Sequence, residues 1–151
     1  MKDLLIEKMY ELSKKPYQKF LKKNQAWDVS IPELIQHPPE SLGFHLGCFL
    51  LKYNFEIQPK LEDHDVIHVL TNTGISVPEE IGMQYYLLGN GKKSLYLYMV
   101  IATGTFFYPN RLKQFVVEYQ RGKSAHQFYH LNYLKMLKIP VTAIRESFNI
   151  N

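Results

Sequence analysis

Cysteine is nearly absent from this chain of 151 residues, which contains Cys48 alone. A single cysteine excludes an internal disulfide framework and a zinc site built from several thiolates. The chain therefore has no need of an oxidising compartment.

Long hydrophobic runs are also missing. The longest apolar stretch, residues 95–102, is far shorter than the 18 or so residues that a membrane-spanning helix needs. We therefore expect a protein without a membrane span.

Acidic residues are scarce at the N-terminus. Residues 1–23 hold seven lysines against three acids, whereas the rest of the chain holds eleven basic and eleven acidic residues, so this segment accounts for the net charge of +4. We predict a basic amphipathic helix here that is solvated or, alternatively, attracted to anionic lipid head groups. No nucleic-acid recognition motif accompanies it, so nucleic acid is not an expected partner. Asp3 and Glu7 lie where a signal peptide needs an apolar core, which favours a cytoplasmic location.

Strand-like alternation and internal repeats are absent from the sequence. Start and stop signals of helices recur along the whole chain and divide it into predicted helical segments. Serine, proline and acidic residues precede apolar stretches, and glycine, asparagine or proline follow them. The segments that we predict as helices are 4–12, 41–53, 61–71, 78–89, 94–107, 110–120, 124–137 and 141–148. The expected fold is an all-α, single-domain bundle of about seven to eight helices, with a motif-bearing core at about residues 40–150. Residues 94–107 are apolar on every side, which predicts a central buried helix.

The residues that point to chemistry are His64 and His68, followed after eleven residues by Glu80. Two histidines four residues apart share one face of a helix, with Cβ atoms about 6 Å apart, and can reach one metal ion. If the next helix packs antiparallel, Glu80 meets His68 at a similar depth. Asp65 is rotated by about 100° from His64. It is either a fourth ligand or a group that orients a histidine. This donor set suits Zn²⁺, with Fe²⁺, Mn²⁺ and Mg²⁺ left open, and an open coordination position would make the site catalytic.

Other interpretations of histidines in this chain are weaker. His126 and His130 have the same spacing, but the next acid is Glu146, so we interpret them as solvated or core histidines. The all-α phosphohydrolases with a His-Asp pair need a further aspartate, and none follows Asp65. Zinc peptidases use His-Glu-x-x-His, in which the glutamate is the general base. The side chain of Asp65 is one methylene shorter and would lie too far back for that role.

His-Asp-x-x-His followed by eleven residues and Glu resembles the metal motif of the coenzyme Q biosynthesis protein 4 family. Ser41-Leu42-Gly43 before an apolar helix resembles a helix start of that family, and residues 121–125 and 144–150 resemble its C-terminal end. The resemblance covers roughly residues 40–150. The sequence departs from the family at residues 60–63, where arginines are usual, and at Glu79, where glycine is usual. Without a mitochondrial leader, the chain resembles a short, divergent, bacterial member.

The resemblance implies an all-α fold and a divalent metal, usually taken as zinc, bound by the residues that would also be catalytic, namely His64, Asp65, His68 and Glu80. It implies a role in ubiquinone biosynthesis, acting on or presenting a prenylated aromatic precursor. A role in removing or replacing the ring carboxyl group of the precursor has been attached to this family, and removal would be a lyase-type reaction. The non-enzymatic alternative is a scaffold that binds prenyl lipid and presents substrate to partner enzymes.

The partners that the resemblance implies are a polyprenyl-aromatic quinone precursor or prenyl lipid, other quinone-biosynthesis proteins and the inner face of a membrane, with a homodimer also open. An apolar groove would hold the polyprenyl tail. Its candidate lining is the aromatic-rich helix within residues 94–107, unless that helix is plain core, and the candidate residues are Tyr96, Tyr98, Met99, Phe106 and Phe107.

Overall fold

A computed structural model describes Leu4 and residues 27–55 and 62–151 of the chain. These ranges hold seven α-helices and no strand, and they form one all-α domain, so the predicted fold class is confirmed. The helices are α1 (Ile31–Ile35), α2 (Leu42–Lys52), α3 (Glu62–Thr71), α4 (Val77–Gly89), α5 (Leu95–Phe107), α6 (Leu112–Ser124) and α7 (Val141–Phe148). Short 3₁₀ turns lie at Pro109–Arg111 and Tyr133–Met136. The basic helix predicted within residues 1–23 lies outside the described residues, apart from Leu4.

The ends of several helices are set by local polar residues, as predicted. The Ser41 hydroxyl accepts a hydrogen bond from the backbone N–H of Phe44 (3.2 Å), and the Ser94 hydroxyl accepts one from Leu97 (3.2 Å). These bonds satisfy N–H groups that a helix start otherwise leaves without partners. Asn72 follows α3 with φ at 53°, a left-handed conformation that ends a helix and that asparagine tolerates.

The central helix of the fold is α4, against which both α5 and α6 pack. Glycines allow α6 an unusually close approach. A Cβ atom on Gly122 would lie 1.9 Å from the carbonyl oxygen of Tyr86, and one on Gly89 would lie 2.1 Å from that of Tyr119. The two backbones are therefore in contact where these helices cross, and α4 is buried on several sides.

The prediction that residues 94–107 form the central buried helix is wrong in one respect. The helix exists as α5, but only Leu97, Val100 and Gly104 are buried in it. Leu95 and Phe106 are 71% and 78% exposed. An apolar surface all around a helix predicts burial but cannot rank helices against each other. The glycine contacts of α4 place that helix in the middle instead.

The helix predicted at residues 124–137 is also wrong, because α6 continues to Ser124 and the chain then runs irregularly to the 3₁₀ turn. Buried Asn90 replaces the missing helical hydrogen bonds. Its side-chain nitrogen donates to the carbonyls of Gly122 (3.2 Å) and His126 (3.0 Å), and its oxygen accepts from the N–H of Phe128 (3.0 Å). His126 and His130 are both exposed and share no helix face, so their helical spacing has no structural meaning.

Candidate metal centre

Three of the predicted residues converge on one point. The Nε2 atoms of His64 and His68 are 3.1 Å apart. One carboxylate oxygen of Glu80 lies 3.2 Å from His64 Nε2, and the other lies 3.1 Å from His68 Nε2. The His68 side chain is 1% exposed, that of Glu80 13% and that of His64 18%. Within the described part of the chain, these are the side chains that group closely enough to share a metal ion.

The helices bring these residues together at their ends rather than along their lengths. Within the described residues, α3 packs on α2 and α7 while α4 packs on α6 and α5, and the predicted packing of α3 along α4 is not observed. His68 lies in the last turn of α3, and Glu80 lies in the first turn of α4. The short loop between the two helices therefore sets the distance between histidine and glutamate.

The ring of His68 is fixed by Thr73 and Phe49. His68 Nδ1 lies 3.2 Å from the carbonyl oxygen of Thr73, and the N–H of Thr73 donates to the carbonyl of His68 at 3.1 Å. The Phe49 ring stacks on His68 with a centroid distance of 5.3 Å. A carbonyl oxygen only accepts, so Nδ1 carries a hydrogen. A neutral His68 then directs the lone pair of Nε2 at Glu80 and His64, which is the arrangement typical of metal-binding histidines.

The carboxylate of Glu80 and the two imidazoles of the cluster together favour a cation, either a proton or a metal ion, between them. Burial lowers the pKa of His68, but the hydrogen bond and charge of Glu80, with smaller contributions from Thr73 and Asp65, raise it above its usual range overall. Burial would raise the pKa of Glu80, yet the two histidines hold it well below its usual range. Glu80 is therefore ionised. A carboxylate facing two imidazole nitrogens is stable when a proton or a metal ion lies between them.

The spacing of the three groups fits a divalent metal ion. Two ligand atoms bound to zinc at tetrahedral angles are about 3.3 Å apart, and at octahedral angles about 3.0 Å. The two imidazole nitrogens are 3.1 Å apart, and each lies 3.1 to 3.2 Å from a different oxygen of Glu80, so these separations lie between the two values when both carboxylate oxygens face the ion. Two imidazoles and one carboxylate also leave coordination positions open, as in catalytic zinc sites and non-haem iron sites.

Asp65, the remaining predicted residue, is not one of the three clustered groups. Its charge acts on His68 from outside the cluster, where it contributes to the raised pKa of the histidine. The structure therefore brings together three of the four residues that the motif suggested.

Two arginines that sequence reasoning assigned no role hold the helix end next to the cluster. Arg145 donates from Nε to the carbonyl of Leu70 (3.0 Å) and from a terminal nitrogen to that of Val69 (2.8 Å). Arg121 donates to the carbonyl of Thr71 (3.4 Å). Cations at the C-terminus of a helix satisfy its last carbonyls and oppose its dipole. Both arginines lie in the C-terminal segments that carried the family resemblance, but contacts across 50 to 76 residues leave no local signal.

Replacing Arg145 by methionine is expected to destabilise the fold by about 2 kcal/mol, because charge-assisted hydrogen bonds to two carbonyls are lost. Metal affinity should fall by about tenfold or more, as is usual when support behind a ligand is removed. Urea unfolding and metal titration would measure the two effects. Arg111→Met is the control, because exposed Arg111 bonds to the exposed side chain of Gln114. Equal effects of the two substitutions would show that Arg145 does not support the site.

Gln84 is a second residue that the sequence did not single out. It is 2% exposed, and its side-chain oxygen has no hydrogen-bond partner. Residues four apart lie on one helix face, so Gln84 follows Glu80 one turn deeper on the same side of α4. A buried acceptor without a donor is costly, so this oxygen stands out among the buried side chains of α4.

A cavity of about 560 Å³ lies behind the loop that joins α3 to α4. Its lining mixes apolar side chains with polar ones and with charges of both signs, and the lining residues are Asn72, Thr73, Ser76, Pro78, Glu79, Gly82, Arg111, Gln114, Phe115, Val117, Glu118 and Arg121. Thr73 links this cavity to His68, but no residue of the cluster and none of the α5 residues expected to line a groove belongs to it. The cavity is therefore a neighbour of the candidate centre.

Comparison with known proteins adds a structural relative. Neither a family model nor a curated protein matches the sequence. The fold is similar to that of a crystal structure from Nostoc punctiforme, of a protein named "Putative ubiquinone biosynthesis protein". The two are 17% identical and superpose with a TM-score of 0.66 over 95% of this chain and 82% of the other. At this identity, the similarity shows a shared fold.

Proposed function

We propose that this chain binds one divalent metal ion at His64, His68 and Glu80 and serves ubiquinone or a related prenylquinone biosynthesis. The observation that carries the metal site is the orientation of His68, whose Nδ1–H is fixed on Thr73 so that Nε2 faces Glu80 and His64. Two features support the pathway: the motif that resembles the coenzyme Q biosynthesis protein 4 family, and the fold shared with the Nostoc protein.

Within this proposal, the chain acts on a prenylated aromatic precursor: the bond between the ring and its carboxyl group breaks, carbon dioxide leaves, and a proton from water takes its place on the ring. A bound divalent ion would supply Lewis acidity toward an oxygen of such a ring. His64, His68 and Glu80 hold the ion, and Asp65 adds negative charge from outside the cluster. Gln84 offers a buried acceptor to a hydroxyl group. We propose zinc as the ion on donor chemistry, with Fe²⁺, Mn²⁺ and Mg²⁺ as the alternatives that metal analysis would reveal.

A second candidate is a non-enzymatic scaffold that binds prenyl lipid and presents it to partner enzymes. It is favoured by the mutual engagement of the three clustered side chains, each of which already contacts the other two. In this case the metal ion stabilises the fold rather than reacting with substrate.

Metal content tests the site directly. The purified full chain should contain about one divalent ion per molecule by elemental analysis, since a set of three convergent ligands binds one ion. His64→Ala and His68→Ala should each reduce the bound metal to a small fraction of this. His130→Ala is the matched control, because it removes an exposed histidine that lies outside the cluster. Wild-type protein without stoichiometric metal after purification and reconstitution would exclude the proposal.

Turnover separates the enzyme from the scaffold. If the protein is an enzyme, its metal-free form keeps its helical circular dichroism but no longer decarboxylates a carboxylated prenyl-aromatic substrate. The variant His68→Ala then behaves in the same way as the metal-free protein. As a scaffold, wild-type protein shows no turnover, and prenyl-lipid binding survives His68→Ala.

A further inference from the structure

α5 carries an uncovered apolar face opposite its buried one. Leu95, Tyr98, Met99, Ala102 and Phe106 are all exposed and recur every three or four residues, so they form one stripe along the helix, the α5 stripe. Phe106 alone is 78% exposed. The side chain of Thr103, on the same side, donates to the carbonyl of Met99 at 2.7 Å. Even this polar group is therefore satisfied within the helix, as an apolar surrounding requires.

The charged residues that flank this stripe along the chain have one sign. Between Ile81 and Val117 there is no aspartate or glutamate, while four basic residues flank the helix. Lys92 and Lys93 precede the start of α5, and Arg111 and Lys113 follow its end. A contiguous exposed apolar surface marked off by polar residues is typical of an interaction site.

We propose that the α5 stripe rests on an anionic lipid surface, with α5 parallel to the membrane plane. An interfacial helix buries an apolar face at the level of the head groups while basic residues contact their phosphates. α5 has 13 residues and is about 20 Å long, shorter than the hydrocarbon core of a bilayer. Among the described residues, no helix is both long and apolar enough to cross a membrane.

The charge of the flanking residues favours a lipid surface over the two other candidates for covering this face, which are a second copy of the chain and its own N-terminal segment. In a symmetric dimer the same patch meets itself, so the four basic residues of one copy would face those of the other. The N-terminal segment, residues 1–23, itself carries a net charge of +4 and would be repelled in the same way. An anionic bilayer is both apolar enough for the stripe and complementary to its flanking charges.

This inference does not depend on the metal site, and its test needs no activity. The full chain is sedimented with vesicles of pure phosphatidylcholine and with vesicles of equal parts phosphatidylcholine and phosphatidylglycerol. We expect strong binding to the second kind and weak binding to the first. Raising the salt from about 0.1 M to about 1 M shortens the screening length from about 10 Å to about 3 Å and should release most of the protein.

Variants locate the contact, because the N-terminal lysines could bind lipid by themselves. Leu95→Glu with Phe106→Glu should reduce binding by tenfold or more, while Leu51→Glu with Leu134→Glu, also exposed sites, should change it little. Lys93→Gln with Lys113→Gln should reduce binding by about tenfold or more, because two contacts with anionic head groups are lost. The control pair, Lys135→Gln with Lys138→Gln, removes two exposed charges elsewhere.

The proposal fails if binding is equal for both kinds of vesicle, or if the α5 variants and their controls behave alike. It also fails if sedimentation velocity without lipid shows a dimer that Leu95→Glu with Phe106→Glu dissociates, since the face would then join two copies of the chain. Circular dichroism of each variant confirms that a loss of binding is not a loss of fold.

Discussion

Replacing Glu80 by glutamine is expected to lower the affinity of the chain for Zn²⁺ by about a hundredfold or more, since even residues behind the ligands contribute tenfold to a hundredfold. The carboxylate of Glu80 is the one anionic group of the cluster and faces both histidines. An amide has nearly the same shape but no charge to oppose that of the ion. Competition with a chromogenic chelator would measure the affinity, and Co²⁺ absorption would report the ligand set.

Glu79→Gln provides the matched control, because it removes one negative charge from the same turn of α4. Glu79 accepts from the backbone N–H of Ser76 at 3.0 Å, a capping contact that a glutamine side chain also makes. We expect the metal affinity of this variant to stay within about threefold of the wild type, because only distant charge is lost. If both substitutions weaken binding equally, the effect is one of overall charge and Glu80 is not a ligand.

Replacing Gly122 by alanine is expected to destabilise the fold by about 3 kcal/mol or more. The added methyl group would lie 1.9 Å from the carbonyl oxygen and 2.7 Å from the carbonyl carbon of Tyr86. Both atoms belong to the backbone of α4 and cannot turn away as a flexible side chain can. The two helices would have to separate, with loss of packing around Tyr86 and Phe128. Urea unfolding followed by circular dichroism measures the change.

Gly82→Ala tests the same pair of helices at a roomier position. Its Cβ atom would lie 3.4 Å from Cγ of Glu118 and 4.0 Å from Phe115, which are ordinary contacts. Because alanine favours helix over glycine by about 0.8 to 1 kcal/mol, this variant should be as stable as wild type or slightly more so. A comparable loss in Gly82→Ala and Gly122→Ala would mean that the close contact at Gly122 is not what limits the packing of α4 and α6.

Short-range signals made much of the fold predictable. The helices beginning after Ser41 and Ser94 and the helix at residues 141–148 are found where expected. In each case the signal and the structure lie within a few residues of each other. Glu80 meets His64 and His68 as expected, but the antiparallel packing from which we expected this is not observed, and the loop of five residues sets the distance instead.

The wrong predictions concern choices made at long range. Residues 124–137 have a helix-like pattern, yet Asn90, more than 30 residues earlier, binds their backbone in an irregular path. The apolar composition of α5 predicted that this helix lies at the centre of the bundle. The central helix is α4 instead, because glycines on α4 and α6 allow these two helices to approach closely. Arg145 reaches the carbonyls of α3 from 75 residues away. None of these contacts is encoded in the periodicity of the segment that it governs.

The sequence alone therefore determined that this protein is helical, where most of its helices begin, and which four side chains are candidates for a metal site. Caps, periodicity and a short loop decide such features through local geometry. Only the tertiary structure decided which helix is central, how His68 is oriented and which apolar face stays in contact with solvent. Those outcomes depend on how closely backbones approach and on which distant groups satisfy buried carbonyls, and both are properties of the packed chain as a whole.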